Sequence, residues 1–239
     1  VCRMLIAAGN FNIDHLINDF ILMAADQNEK HEKNSDKEFK HSDGWGIAYL
    51  ENGGLKIFRS TMTVYDDDQI HQFRNLKTDL VILHARKASK GNVDIRNVHP
   101  FECQYNGSRY LFFHNGTIHD ELAYDDSFTP VGATDSERLF YYLLTNSSGQ
   151  LTPAFLKSKL ENLTDFTAAN FILTNGQATL AGNWYSENPN YYSMKLLQKK
   201  GLIVVASEVL PHYKDEDWIR LKNQDIVSVG TLDLSVKVN

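Results

Sequence analysis

Cys2 is the residue of this 239-residue chain best placed for nucleophilic chemistry, and only one other cysteine, Cys103, accompanies it. A nucleophile on a chain's first residue can use its own α-amino group as base. An α-amine titrates at about 7.7–8.0, close to what a general base needs at neutral pH. Val1 stands in front of Cys2, so the Cys2 nitrogen is here an amide, which accepts no proton. Three readings are open: Val1 is removed by processing, a side chain or water serves as base, or the site is catalytically silent. The expectation taken forward is a competent enzyme in an unprocessed form.

Four further segments set polar side chains beside apolar runs: His41–Gly46, His84–Ser89, His114–Thr117 and Gly132–Glu137. Singly, each has an ordinary explanation. Asn115-Gly116 reads as a turn, Arg86 as a surface ion-pair partner, Asp135 as a helix-start residue. The nine histidines form no HExxH pairing and there is no cysteine cluster, so no zinc site is expected. Gly44-Trp45-Gly46 and Gly53-Gly54 lack the phosphate-loop and dinucleotide-binding spacings.

The elements that must position these residues are mostly strands. Residues 2–8 read as a short buried strand beginning at Cys2. Segment 11–25 has apolar residues at helical spacing, with Asn12 or Asp14 as its cap. Segment 26–42 is polar and charged and reads as a long solvated loop. Three hairpins are signalled by Asn-Gly turns: 45–50 with 54–59, 100–105 with 108–114, and 168–174 with 177–183. The apolar run 79–86 reads as a buried strand that delivers Arg86 to its mouth. Thr134 and Glu137 stand at capping-box spacing before LFYYLL, and 151–163 is a second helix candidate. Segments 191–197 and 201–206 read as a strand pair, 224–230 as a late strand, and 231–238 as another. Hairpins with helices between them predict an α+β layered domain. Without repeats or a Pro/Gly-rich linker, one domain over 1–239 is the expectation.

Composition sets outer bounds. Hydrophobic residues make up 42% and charged residues 23%, ordinary for a globular chain. A net charge of −6 without a basic stripe argues against nucleic acid or an anionic membrane as partner. Apolar runs fall short of the ~20 residues a membrane span needs, and 1–10 is too short and too weakly basic for a secretory signal. Two cysteines make no disulfide framework; a reducing, cytoplasmic setting is expected. The Asn-x-Ser/Thr sequons at Asn106, Asn115, Asn146 and Asn162 are then chance matches.

Taken together and in order, CRMLIA, DGWGIA, LHARKAS, NVHPF, FHNGTI and GATDSE resemble the class II glutamine amidotransferase domain of the N-terminal-nucleophile hydrolase superfamily, in its stand-alone form. The resemblance runs from Cys2 to about Leu144, and more loosely through Ala206-Ser207-Glu208. It implies a four-layer αββα sandwich of two antiparallel sheets flanked by helices, and no cofactor. It matches Cys2 to a nucleophile that forms a γ-glutamyl thioester, and the Asn115 side chain and Gly116 N–H to the oxyanion hole. It matches Arg86 to the grip on a substrate α-carboxylate and Asp135 to the partner of its α-ammonium. Ser89 falls where the family often has a hydroxyl near glutamine, and Trp45 and Gly46 fall in a segment that shapes the pocket. Lys87 departs from the aromatic residue that many fused members carry after the arginine. The activity implied is cleavage of a γ-glutamyl amide, with ammonia passed to a synthase partner or an amine released by a hydrolase acting alone. The alternative is a glutamine- or γ-glutamyl-binding module silenced by Val1.

Overall fold

The computed structural model describes residues 1–149 and 151–239. Its strands are β1 Cys2–Gly9, β2 Trp45–Glu51, β3 Gly54–Ser60, β4 Leu80–Arg86, β5 Phe101–Tyr105, β6 Ser108–Ile118, β7 Phe166–Thr174, β8 Ala178–Asn183, β9 Lys195–Lys199, β10 Leu202–Ala206, β11 Trp218–Arg220, β12 Asp225–Gly230 and β13 Val236–Val238. The helices are α1 Ile13–Ala24, α2 Asp135–Leu144, α3 Pro153–Leu160 and the short α4 Pro189–Tyr192. Two sheets result, ordered β11-β9-β10-β1-β4-β2-β3 and β13-β12-β8-β7-β6-β5. Every strand pair in them is antiparallel.

Strand alternation builds the layers. On β1, Leu5 and Ala7 face outward and join Leu16, Ile17 and Phe20 of α1 in one core. Met4, Ile6 and Ala8 face inward and meet Leu111, Phe113 and Ile172 of the second sheet. The outer face of that sheet buries Phe112 and Phe171 against Leu139, Phe140, Leu156 and Leu160 of α2 and α3. Helix, sheet, sheet and helix thus stack as an αββα sandwich in the α+β class, as expected. No helix among the described residues is long and apolar enough to cross a membrane.

Local chemistry explains the element ends. Asn12 caps α1, its Oδ1 accepting from Asp14 and His15 N–H. Thr134 caps α2 through Glu137 N–H. The return half of that capping box is absent, because Glu137 instead accepts from the N–H groups of Val131 and Gly132. Asn52-Gly53 and Asn106-Gly107 take positive φ at both turn positions, the conformation tight two-residue hairpins require.

One expectation is overturned. Segment 26–42 is anchored onto the protein at His31, Asn34 and His41, which are buried, and only 35–38, Gln27 and Lys30 stay exposed. The Asp26 carboxylate accepts from Asn34 Nδ2 (2.6 Å) and Phe39 N–H (2.7 Å). The Glu32 carboxylate accepts from Asn190 and Tyr191 N–H of α4. Its polar residues satisfy backbone donors, a role that composition alone does not distinguish from solvation.

Candidate active site

The site lies at the end of β1, between the two sheets. Register pairs Cys2 with Arg86 and Met4 with His84. Because Met4 lies in the inter-sheet core, Cys2, His84 and Arg86 share that inner face. Gly46 of β2 pairs with His84. A Cβ on Gly46 would sit 1.9 Å from the His99 carbonyl oxygen, so only glycine admits the His99 backbone there. Trp45 points the other way: it is fully buried in the outer core, with Nε1 donating to Asp67 Oδ2 at 2.9 Å. Its indole therefore does not line the Cys2 face, as alternation along β2 dictates once Gly46 faces inward.

Cys2 is 4% exposed. Its N–H donates to Asn115 Oδ1 at 2.6 Å, and its carbonyl accepts from the Tyr191 hydroxyl at 3.0 Å. Val1 extends the ladder by a residue: Lys87 N–H donates to the Val1 carbonyl at 2.9 Å, and the Val1 nitrogen donates to the Lys87 carbonyl at 3.1 Å. Burial by itself pushes the thiol up. The Val1 ammonium, the charge and hydrogen bonding of His84, and a backbone hydrogen bond at Lys87 outweigh it and bring the thiol down to about 6.

Asn115 and Gly116 lie on β6, which outruns its neighbour. β5 pairs only with residues 108–112 of β6, so residues 113–118 have one edge without a strand. The backbone groups of that edge are met by side chains instead. The His114 carbonyl lies 3.0 Å from His84 Nε2. The Ile118 carbonyl accepts from Lys90 Nζ at 2.5 Å, and Ile118 N–H donates to Asp135 Oδ2 at 2.6 Å. A Cβ on Gly116 would fall 1.8 Å from the Ala168 carbonyl oxygen, so this close approach of β6 to β7 requires glycine. The His114 side chain faces away from Cys2, with Nδ1 2.8 Å from Ser136 Oγ and Nε2 3.2 Å from the Ala168 carbonyl. Burial pushes it down to about 4, so at neutral pH it is uncharged.

Arg86, 3% exposed, is turned into the loop 87–92. Its Nη2 donates to the carbonyls of Lys90 (2.9 Å) and Gly91 (3.1 Å), and its Nη1 to those of Asp43 and Asn92 (3.4 Å each). The same loop reaches β6, where Thr117 Oγ1 donates to Ser89 Oγ at 2.8 Å. One loop therefore links Arg86, Ser89 and the Asp135–Ile118 contact. Asp135 enters from the first turn of α2 and keeps its second carboxylate oxygen clear of that bond. Cys2, Asn115, Gly116, Gly46, Arg86, Ser89 and Asp135 thus gather at one end of the sandwich.

Several contributors carried no role in the sequence reading. His84 stands two residues before Arg86, and that spacing on a strand puts both on one face; this was the available signal. The His99 ring lies against His84, tilted by 36° with centroids 4.0 Å apart. Tyr191, on a four-residue helix, had no signal. Among the described residues no group of three or more His, Cys, Asp or Glu side chains is arranged to hold a metal ion.

A family model described as glutamine amidotransferases class-II matches residues 29–186; Cys2 precedes the matched stretch. A "Putative glutamine amidotransferase" of Haemophilus influenzae is 33% identical over 218 residues, covering 78% of this chain and 73% of that protein. The "Putative glutamine amidotransferase YafJ" of Escherichia coli is 26% identical over 189 residues, 72% of this chain and 74% of the other. Two solved structures share the fold at low identity. The glutamine phosphoribosylpyrophosphate amidotransferase of B. subtilis superposes with a TM-score of 0.66 at 16% identity, covering 99% of this chain, which spans 48% of that one. A glutamine aminotransferase class-II domain protein of Silicibacter pomeroyi superposes with a TM-score of 0.64 at 16% identity, covering 100% and 98%.

Proposed function

This chain belongs to the class II glutamine amidotransferases, and on that footing we propose that it cleaves a γ-glutamyl amide through a thioester on Cys2. The Cys2 thiolate attacks the amide carbonyl carbon, and the carbonyl π electrons move to oxygen. Collapse of the tetrahedral intermediate expels ammonia or an amine, which takes up a proton. Water then adds to the thioester, and glutamate leaves as the sulfur regains its proton.

The observation that carries this reading is the bond from Cys2 N–H to Asn115 Oδ1. An amide N–H only donates, so it fixes Oδ1 toward Cys2 and turns the Asn115 NH2 outward as a donor. Gly116 shares the strand parity of His114, whose carbonyl faces the unladdered edge of β6, so its N–H is directed to that same edge. Two donors beside one nucleophile suit a developing oxyanion, a contribution of roughly 3–4 kcal/mol per donor. Arg86 is assigned the substrate α-carboxylate, sharing donors now spent on loop carbonyls, and Asp135 the α-ammonium through its free oxygen. Ser89 and Gly46 border the glutamyl chain. Residues 1–239 are read as one domain of this family. Its ammonia goes to an acceptor protein, or the chain hydrolyses small γ-glutamyl compounds alone.

A second reading, a glutamine- or γ-glutamyl-binding module, is favoured by one observation: Val1 makes the Cys2 nitrogen an amide already bonded to Asn115. Incubation with a glutamine-mimicking electrophile separates the two. The enzyme reading expects a mass increase mapped to Cys2 and release of glutamate from glutamine. Saturable glutamine binding with neither outcome supports the module instead.

A further inference from the structure

Cys2 stands where β1 has lost a neighbour. β10 pairs with β1 only from Leu5 to Gly9. One step further, Ser207 serves Met4: its N–H donates to the Met4 carbonyl at 2.9 Å, and its Oγ accepts from Met4 N–H at 3.0 Å. Backbone groups two residues apart on a strand point to the same edge. The N–H and carbonyl of Cys2 therefore face that side as well, beyond the end of β10. Two side chains take the place of a strand there. Asn115 Oδ1 accepts from the Cys2 N–H at 2.6 Å, and the Tyr191 hydroxyl donates to the Cys2 carbonyl at 3.0 Å. The carbonyl contact is indifferent to what precedes Cys2 in the chain. The direction in which a side chain leaves the backbone follows from its N, Cα and C atoms. Asn115 holds the first of these, and Tyr191, through the carbonyl, holds the last.

Tyr191 is itself held from several sides. It is fully buried. The Arg3 guanidinium lies 4.0 Å over its ring, and Arg3 Nη1 donates to its carbonyl at 3.1 Å. Its N–H donates to Glu32 Oε2 at 2.9 Å, and its hydroxyl lies 2.9 Å from His41 Nε2. Burial pushes the phenol well above its ordinary value, so it stays protonated and able to donate at neutral pH. A phenylalanine would fill the same space; only the hydroxyl reaches Cys2.

We propose that Tyr191 is a positioning residue of the nucleophile: by holding the Cys2 carbonyl it aims the sulfur at a carbonyl carbon whose oxygen rests between Asn115 and Gly116. The inference rests on the amidotransferase reading of Cys2. Tyr191 touches no reacting atom and acts through Cys2. A misplacement of about 1 Å at a reacting centre can cost on the order of 100-fold in rate. The far end of the substrate is assigned to Arg86 and Asp135, and among the described residues neither is hydrogen-bonded to Tyr191. The effect of losing the hydroxyl therefore falls on the chemical step and not on substrate binding.

The test sets Tyr191→Phe against wild type in the full chain. Steady-state kinetics on glutamine should show kcat lower by about tenfold or more, with KM within about twofold. Iodoacetamide alkylates sulfur without passing through an oxyanion, so its labelling of Cys2 should run at least at the wild-type rate. Peptide mass reads that labelling free of Cys103. A kcat within about twofold of wild type overturns the proposal. So does a fall in kcat matched by an equal loss of labelling or an equal rise in KM, which is what a merely structural role would give. Should Tyr191→Phe fail to fold, Glu32→Ala removes the acceptor of the Asn190 and Tyr191 N–H groups and loosens the same tyrosine from its other end. The same split is expected there, and wild-type kcat overturns the proposal. A wild type that releases no glutamate from glutamine strikes the amidotransferase reading itself; a competent wild type with an equally competent Tyr191→Phe strikes only the positioning role.

Discussion

At the scale of single residues, the proposed reaction divides the site into groups that would hold the substrate throughout and groups that would act only as charge develops. Asn115→Asp keeps an oxygen to accept from Cys2 N–H but loses the outward NH2 and sets a negative charge against the oxyanion. Glutaminase kcat should fall at least about 100-fold, with a lower thermal midpoint because the new carboxylate is buried. Asp135→Asn is the contrasting case. Its amide oxygen still accepts from Ile118 N–H, while the charge proposed to meet an α-ammonium is gone. In that proposal the contact is the same before and during chemistry, so KM should rise about tenfold or more with kcat within a few-fold of wild type. Steady-state kinetics on glutamine read both; a kcat collapse in Asp135→Asn would move that residue into the chemistry itself. Trp45 belongs to neither group. Trp45→Phe removes the bond to Asp67 on the outer face and shrinks a ring packed on Phe58 and Phe73, so it should cost roughly 2–4 kcal/mol in a urea titration and leave kcat intact.

Among elements, the decisive relations are a strand longer than its neighbour and a segment clamped to a short helix. Tyr191 OH donates to the Cys2 carbonyl and so takes the His41 Nε2 proton, 2.9 Å away, as acceptor. One hydroxyl thus ties segment 26–42, α4 and the start of β1. Tyr191→Phe leaves His41 Nε2–H buried without a partner, which should cost about 1–3 kcal/mol and open 26–42 to proteases in limited digestion. Unchanged cleavage there would show that the bonds of Glu32 to α4 and of Glu29 to Val209 and Lys195 hold the segment without Tyr191. This junction also marks the boundary of what sequence conveys. Hairpins at Asn52-Gly53 and Asn106-Gly107 were legible because their turns require left-handed backbone, and α1 and α2 because their caps and apolar spacing are local signals. β11, three residues on a sheet edge, carries no period to detect. The burial of 26–42 depends on Tyr191, more than 140 positions away. The inward turn of His84 followed from alternation, but its bond to His114 follows only from how the two sheets pack.

For the molecule as a whole, four histidines buried without charge should govern its response to acid. Burial is the largest cause in each: His31 and His114 are brought down to about 4, and His41 and His99 well below their ordinary value. In the unfolded chain each titrates near 6.5. Between about pH 6.5 and 4 the unfolded state therefore binds more protons than the folded one, and stability rises with pH across that window. Acidification removes it. His114 alone, with a folded value of about 4 against about 6.5 unfolded, contributes on the order of a few kcal/mol. Cys2 works in the same direction at higher pH, since its folded value of about 6 lies below that of a free thiol and its contribution fades as pH falls from about 8.5 to 6. Urea midpoints should accordingly decline from pH 8 to 6 through the thiol, then more steeply from 6.5 to 4 through the histidines. His114→Gln, whose amide can still accept from Ser136 and donate to the Ala168 carbonyl, should flatten the lower limb while leaving the upper one. A midpoint that stays level down to pH 4.5 would mean that the buried rings take up protons without unfolding, and that the space around His99 and His114 admits water enough to hydrate them.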